Sequence, residues 1–451
     1  MDVGFETIGN ATLICHDRQP VLVTDPWLGG DPYFGSWTMS HDIPNEQMNS
    51  IANAEYVWMS HGHPDHLSLG GLQKLNAKVL LPDHVGGRIA SYLRHEGYEV
   101  IILKDRVWNR LSDRIKVLSF SDYNQDGVLL IDINGRLVVN LNDASDRGWG
   151  RYVRSIVKQY EKSFLLRLSG FGDADMINIY DEGGKFLLPR AAERRPVGKR
   201  IARMTEQFGA TYFVPFSSMH KYQRADSIWA DKYTTEIPDY AVGFESKSST
   251  LLPPFIRYDC VRDSFEGINP PERQRVIRDP KEFGDNWDDQ LEKSDFVKVF
   301  DYFKSISHLE RHFDFINIRV GGKDNIVSLA KRKLNKGVTF DVPRTSLMVA
   351  VENEIFDDLL IGNFMKTTLH GERAGLYPHF TPYVAKYSDN GRARTNEEVR
   401  GYFWEYLKRA PLEYLRDRFE RRSRDVVRTV FHTDSGLYRL TKSAYHKVKG
   451  W

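Results

Sequence analysis

Ser60-His61-Gly62-His63-Pro64-Asp65-His66-Leu67-Ser68 decides how this chain reads. Three imidazoles and a carboxylate fall within six positions, and these are the side chains that hold zinc or iron at neutral pH. Gly62 and Pro64 oppose a regular helix, so the ligands belong on a loop. Tyr56-Val57-Trp58-Met59 just before it reads as a buried strand that ends where the ligands begin. A strand that delivers a ligand-bearing loop is a common way to preorganise a metal site.

Outward from that run, residues 1–60 alternate short apolar stretches with Gly, Asp and Pro turns, as sheet does. Leu69 to Ala77 and Val85 to Glu96 read as helices, with strands at Lys78 to Pro82 and Val100 to Leu103. Strands follow at Ile115 to Phe120, Val128 to Ile133 and Leu137 to Leu141. Asn134-Gly135 predicts a type I′ hairpin between the last two. Trp149 to Lys162 reads as a helix and Leu165 to Leu168 as a strand.

From about residue 240 the composition shifts. Residues 244–295, rich in Ser, Pro, Asp and Glu, read as a connection wrapping the core. Residues 296–451 read as a C-terminal α/β domain, with strands at Val338 to Val342 and Ser346 to Val351 and a helix starting near Ile355. Gly401 to Arg424 reads as one Arg-rich amphipathic helix that docks Phe403, Leu407, Tyr414, Leu415 and Phe419 and leaves its arginines in solvent.

The HxHxDH order is the signature of the metallo-β-lactamase superfamily, which this chain resembles. Ile8 to Ile14 is similar to that family's first hairpin, and Val21 to Leu28 to its strand running into Asp-Pro-Trp-Leu. A closer resemblance is to the metallo-β-lactamase-like part of the CMP-N-acetylneuraminate hydroxylases. It is carried by Asp25 to Gly29, Trp37, His41, Ser60 to Ser68, Leu141-Asn142-Asp143, Ser169-Gly170-Phe171 and Tyr212 to Phe216. The resemblance implies a four-layer αββα sandwich over residues 1–243. It places His61 and His63 on one metal ion and Asp65 and His66 on a second, with Asp143 bridging and His220 as the last ligand. The family's remaining histidine has no counterpart, and Asp122 stands where it would fall. A carboxylate there adds charge and a hard donor, which shifts preference from zinc toward iron or manganese or weakens that position. Two divalent ions are expected, zinc or iron/manganese, with a mononuclear site as the alternative.

Asp25, at a strand end, fits a role behind the ligands, fixing a histidine tautomer. Trp27 and Trp37 read as packing residues, with His41 beside them able to wall a pocket and touch substrate. His84 reads as exposed. His308, His312, His370, His379, His432 and His446 show no ligand spacing.

A metal pair makes hydroxide near neutral pH and polarises a carbonyl or phosphoryl oxygen. The first expectation is therefore a metal-dependent hydrolase of an ester, amide or phosphodiester. In it Asp65 binds metal and orients the hydroxide, and His220, Lys221 or Arg224 steadies a developing anion. The resemblance suggests a sugar nucleotide or glycoconjugate as substrate. The second expectation is a non-haem iron oxygenase served by a separate redox partner. Only Cys15 and Cys260 are present, which cannot supply the paired Cys and His motifs of a Rieske centre. A binding protein with a decayed site is the third reading, and the intact HxHxDH run argues against it.

Composition fits a globular protein of this kind. The 451 residues are 41% hydrophobic and 12% aromatic, enough for two cores. Lys and Arg (63) nearly balance Asp and Glu (61), so net charge points to neither nucleic acid nor a membrane surface as partner. The first residues lack the pattern of a signal peptide, no stretch is apolar enough to span a bilayer, and two cysteines suit a cytoplasmic location. A small anionic substrate is expected, and a homodimer is left open.

Overall fold

The computed structural model describes residues 1–123, 126–170, 178–193, 195–329, 333–371, 375–377, 379–381, 383–384 and 395–430. Phe171, His432 and His446 lie outside them.

Two mixed sheets face each other. The first has eight strands in the order Ser264–Gly267, Ile256–Asp259, Val3–Ile8, Thr12–Asp17, Gln19–Thr24, Tyr56–Trp58, Lys78–Pro82 and Val100–Leu103. The second has seven, in the order Thr250–Leu251, Tyr212–Pro215, Ser163–Arg167, Arg136–Asn142, Gly127–Ile133, Ile115–Ser121 and Trp108–Arg110. Side-chain alternation explains the layering. Leu129, Ile131 and Ile133 point into the core between the sheets, with Phe5, Leu13, Trp58 and Leu80 opposite. Val128 and Leu130, one residue out of phase, pack against helices Gly150–Val157 and Val197–Phe208 on the outer face. Val57, Val79 and Leu81 likewise meet helices Asn45–Ala52 and Arg88–His95 on the other side. This is the αββα sandwich expected from the sequence. Cys15 and Cys260 are both buried in the central core as free thiols.

Each sheet changes sense midway. Pairing is antiparallel up to Gln19–Thr24 and parallel beyond it in the first sheet. In the second it turns parallel at Arg136–Asn142. The carboxyl ends of Gln19–Thr24, Tyr56–Trp58, Arg136–Asn142 and Tyr212–Pro215 therefore release Asp25, Ser60, Asp143 and Ser217, the kind of edge where α/β sheets bind ligands. The Asn134-Gly135 hairpin forms as expected, with Ile133 opposite Arg136 and both turn residues at positive φ.

The stretch expected to wrap the core also supplies three strands, Thr250–Leu251 at the edge of the second sheet and Ile256–Asp259 with Ser264–Gly267 at one end of the first. Beyond it lies a five-stranded sheet in the order Ile179–Tyr180, Lys366–His370, Gly337–Asp341, Phe315–Val320 and Lys323–Ser328. Its core holds helices Lys293–Ser305, Arg344–Asn353 and Phe356–Ile361. One edge strand comes from before residue 243, so the two parts share a sheet.

Three sequence expectations are corrected. Ser346 to Val351 is not a strand but the middle of helix Arg344–Asn353, which starts after Pro343. A short apolar run suits a buried helix as well as a strand. Leu69 to Ala77 is helical only over Leu69–Leu72, where Gly70 and Gly71 lower helix propensity. The Arg-rich helix is two helices, Asn396–Arg409 and Pro411–Val430, because Pro411 cannot continue the first. Tyr402, Tyr406 and Tyr414 are buried against Tyr123, while Leu415 and Phe419 are exposed.

Glu6 anchors the outer strands. It is buried, and its carboxylate accepts from His16 Nε2 (3.0 Å), Gln47 Nε2 (2.9 Å) and Arg257 Nε (2.7 Å). Burial opposes its charge, but the His16 and Gln47 hydrogen bonds, with Arg257, win and hold it at about 2. A depressed carboxylate contributes stability that is present above its unfolded value and lost as pH falls through the folded one. Glu6→Gln is expected to cost about 2 kcal/mol at pH 7, measured by chemical denaturation. The deficit should shrink as pH is lowered from about 4.5 toward 2.

Candidate metal centre

The ligand loop is fixed from behind by Asp25. Its Oδ1 accepts from Ser60 N (2.8 Å) and its Oδ2 from His66 Nδ1 (3.1 Å), while its own N–H donates to Trp58 O (2.9 Å). The residue is fully buried and sits at φ 39°, a left-handed conformation that Asp and Asn tolerate better than most. Asn142 (φ 36°) and Ser217 (φ 60°), at two other strand ends facing the loop, are in the same region. Backbone strain of this kind gathers at functional sites. Gly127 brings the second sheet up to the loop. Its N–H donates to Ser60 O (3.1 Å), and a Cβ there would lie 2.7 Å from that oxygen.

Two groups of donor atoms result, each with its atoms within 4.8 Å of one another. The first is His61, His66 and Asp143. His66 Nε2 lies 3.5 Å from Asp143 Oδ2 and 3.4 Å from Asp65 Oδ2, and Ser60 Oγ lies 2.8 Å from His61 Nδ1. The second is His63, Asp357 and Asp358. His63 Nε2 donates to Asp357 Oδ2 (3.0 Å), and its Nδ1 lies 2.9 Å from His61 Nε2, so the two groups adjoin. Asp65 is buried between hydrogen bonds from Tyr33 Oη (2.5 Å) and Asn10 Nδ2 (2.8 Å). Ser217 Oγ donates to Asp143 Oδ1 and lies 3.3 Å from His66 Nε2.

The electrostatics follow the acids. Burial holds His61 neutral, helped by His66 and His63. His66 is also buried, which opposes charge, but Asp65 and Asp143 push it well above the usual range. Burial opposes charge on His63 too, and the Asp357 hydrogen bond with the Asp357 and Asp358 charges raises it to about 10. Burial, then the Asp65 charge, keeps Tyr33 protonated. The acids load His63 and His66, though not His61, with protons, the mark of a negative potential suited to cations.

His61, His63, His66 and Asp143 lie close together with Asp65 in contact, but the grouping differs from the expected one: His61 sits with His66 and Asp143 rather than with His63, and Asp65 joins neither donor group. Other expected residues are placed differently. Asp122 accepts from Trp149 Nε1 (3.0 Å) beside Tyr123, Arg147 and Tyr406, in neither donor group, because its carboxylate faces the layer covered by the C-terminal helices. His220 lies flat on Trp37 (3.5 Å between centroids, 6° between planes), also in neither group, since pairing with Met39 ties its backbone to the neighbouring ribbon. Arg224 is corrected from an anion-binding to a structural role. It is fully buried, paired to Asp226 (2.8 Å) and Asp285 (2.7 Å), and covered by the Phe364 ring (3.9 Å). His41 packs on Phe255, with Nδ1 2.8 Å from Ser40 Oγ, and the half-buried Lys221 sits opposite Thr38 in the same ribbon as His220. His84, expected to be exposed, is buried and close enough to His61 for their charges to interact. Trp27 and Trp37 pack as expected.

Asp357 and Asp358 were missed by sequence reasoning. They stand in Ile355-Phe356-Asp357-Asp358-Leu359-Leu360, where two adjacent acids in an apolar helix look like an ordinary first turn. Both are buried, which is costly for carboxylates unless something compensates. Asp357 Oδ1 is a buried oxygen without a hydrogen-bond partner among the described residues. An orphaned carboxylate oxygen beside an imidazole is what a metal position leaves when its ion is not counted. The residues present therefore fit a metal centre.

No family profile matches the chain. It is similar to the cytidine monophosphate-N-acetylneuraminic acid hydroxylase of Sus scrofa, 23% identical over 396 residues, covering 76% of this chain and 88% of that protein. It is similar also to the protein of the same name from Danio rerio, 23% identical over 316 residues, but there it spans only 50% of the relative's length and 62% of this chain. Among solved structures, CmlA, a diiron β-hydroxylase from Streptomyces venezuelae, aligns at 14% identity and a TM-score of 0.34, over 48% of this chain and 45% of that one. The resemblance read from the motifs thus extends to relatives aligned over most of the chain. Among the described residues, no helix is long and apolar enough to cross a membrane.

If the two donor groups each hold an ion, Asp357→Asn should lower bound metal by about one equivalent in metal analysis of the purified full chain. Asp122→Ala should leave the metal content unchanged while costing about 1–2 kcal/mol of stability from the lost Trp149 bond.

Proposed function

We propose that this chain is a metal-dependent enzyme with two adjoining cation positions, and that its reaction is the hydroxylation of an anionic sugar nucleotide or related glycoconjugate. The observation that carries the reading is the donor set, three imidazoles and three carboxylates in two adjacent groups. A half-carboxylate set of this kind suits iron or manganese better than zinc. The names of the relatives support hydroxylation and a sugar-nucleotide substrate. Bound iron would supply oxygen activation, and the two electrons for each turnover would come from a separate redox partner.

The chain's own residues have definable tasks in this reading. Asp25 takes the Nδ1 proton of His66 as a hydrogen bond and so presents Nε2 forward as a donor. Ser60 does the same for His61. Tyr33 and Asn10 hold both oxygens of Asp65 in place, and Tyr33 keeps a proton on its phenol at the edge of the centre. Asp357 and Asp358 bring the C-terminal unit to the centre through helix Phe356–Ile361, with which the Pro32–Gly35 turn also packs.

Hydrolysis is the second reading. The observation that favours it is that His61, His66 and Asp143 form a two-imidazole, one-carboxylate set, which also holds catalytic zinc. Zinc there would lower the pKa of a bound water toward 7. The readings separate in one experiment. The iron-loaded full chain, given a chemical reductant, oxygen and CMP-N-acetylneuraminate, is expected to yield a product one oxygen atom heavier, with none formed anaerobically. Cleavage of the same compound by the zinc-loaded chain without oxygen would instead select hydrolysis. In either case a chelator should abolish turnover.

A further inference from the structure

A third group of donors among the described residues lies away from the ligand loop, in the C-terminal part. His308 and His312 flank the short 3-10 turn Leu309–Arg311, and His379 reaches them from a loop about seventy residues later. One nitrogen from each ring lies within 4.8 Å of the other two. His312 and His379 are parallel at 3.5 Å, His308 and His312 are 4.5 Å apart between centroids, and the Tyr383 ring lies flat against His308 at 3.5 Å. His308 Nε2 and His379 Nδ1 are 3.4 Å apart. Two nitrogens bound tetrahedrally at about 2.0–2.1 Å from one zinc ion would stand roughly 3.3 Å apart, so the His308–His379 pair needs little adjustment to share an ion, whereas His312, whose ring lies parallel on His379, must turn out of that stack to bring an in-plane nitrogen to it.

The chemistry of the surroundings selects the kind of ion. The three donors are imidazoles and the group contains no carboxylate, which disfavours magnesium and calcium and suits zinc, cobalt, nickel or copper. Burial and mutual repulsion hold His308 down to about 3 and His312 to about 4, so both nitrogens are neutral at physiological pH. His308 and His379 also line a cavity of about 490 Å³ together with Arg147, Arg400, Arg418 and Arg421. Those arginines oppose a bare dication, but they favour an ion whose remaining position carries an anion. Three protein ligands with one open position is the arrangement that leaves room for such a ligand.

We propose that His308, His312 and His379 form a second, separate transition-metal site whose open coordination position faces an arginine-lined cavity and takes an anionic ligand. The inference is independent of the proposed function, since no residue is shared with the centre at His61.

Cobalt(II) titration of the metal-free full chain, followed by visible absorption and by equilibrium dialysis, tests it. His61→Ala/His63→Ala is expected to retain one cobalt equivalent with a tetrahedral spectrum. Adding His379→Gln or His308→Gln to that background should remove the equivalent. In the otherwise unaltered chain, each single Gln variant should lower total cobalt by one equivalent, which keeps the test valid should the double variant fail to fold. Phosphate added to the cobalt-loaded His61→Ala/His63→Ala chain should shift the spectrum. Unchanged cobalt stoichiometry in both Gln variants, or magnesium competing as well as zinc, would overturn the proposal.

Discussion

One buried carboxylate organises the centre. Asp25 ends a parallel strand, reaches the neighbouring strand through its backbone, the ligand loop through Ser60 N and the deepest imidazole through His66 Nδ1. A charge buried without water is costly unless its lone pairs are met. Here they are met by groups that the site needs held still, so the cost of burying the charge is offset where rigidity is required. Its positive φ belongs to the same arrangement, because the chain must turn sharply for the carboxylate to face back toward the loop.

The second constraint is that the centre is not finished by the sandwich. The loop and strand ends deliver His61, His63, Asp65, His66 and Asp143, yet His63 finds its acidic partners on a helix nearly three hundred residues later. The shared five-stranded sheet, with one strand from before residue 243, fixes that helix relative to the loop. Arg224 contributes from beneath. Its guanidinium joins Asp285, Asp226 and the Phe34 carbonyl under the Phe364 ring, and so ties together four segments that are distant in sequence. A residue expected to meet substrate serves instead to hold the two parts in register.

The sandwich and the cluster of His61, His63 and His66 were legible because their signals are local. Short apolar runs mark Gly127–Ile133 and Arg136–Asn142, Asn134-Gly135 marks their turn, and the run from His61 to His66 is contiguous. The distant members were not legible, for physical reasons. Asp357 and Asp358 sit in an ordinary helical first turn and acquire meaning only by tertiary approach. Asp122 occupied a plausible sequence position, but its side chain faces Trp149. His308, His312 and His379 lack contiguous spacing, since one ring comes from a separate loop. Ser346 to Val351 shows the other limit, an apolar run too short to distinguish a buried helix from a strand.

The central claim, that two adjoining groups drawn from both parts of the chain hold cations, is tested most directly by anomalous diffraction from crystals of the protein loaded with iron or zinc. The account predicts one peak bonded to His61, His66 and Asp143 and a second bonded to His63 and the Asp357–Asp358 pair. Density showing no anomalous scatterer at bonding distance from His63 or His66 would contradict it.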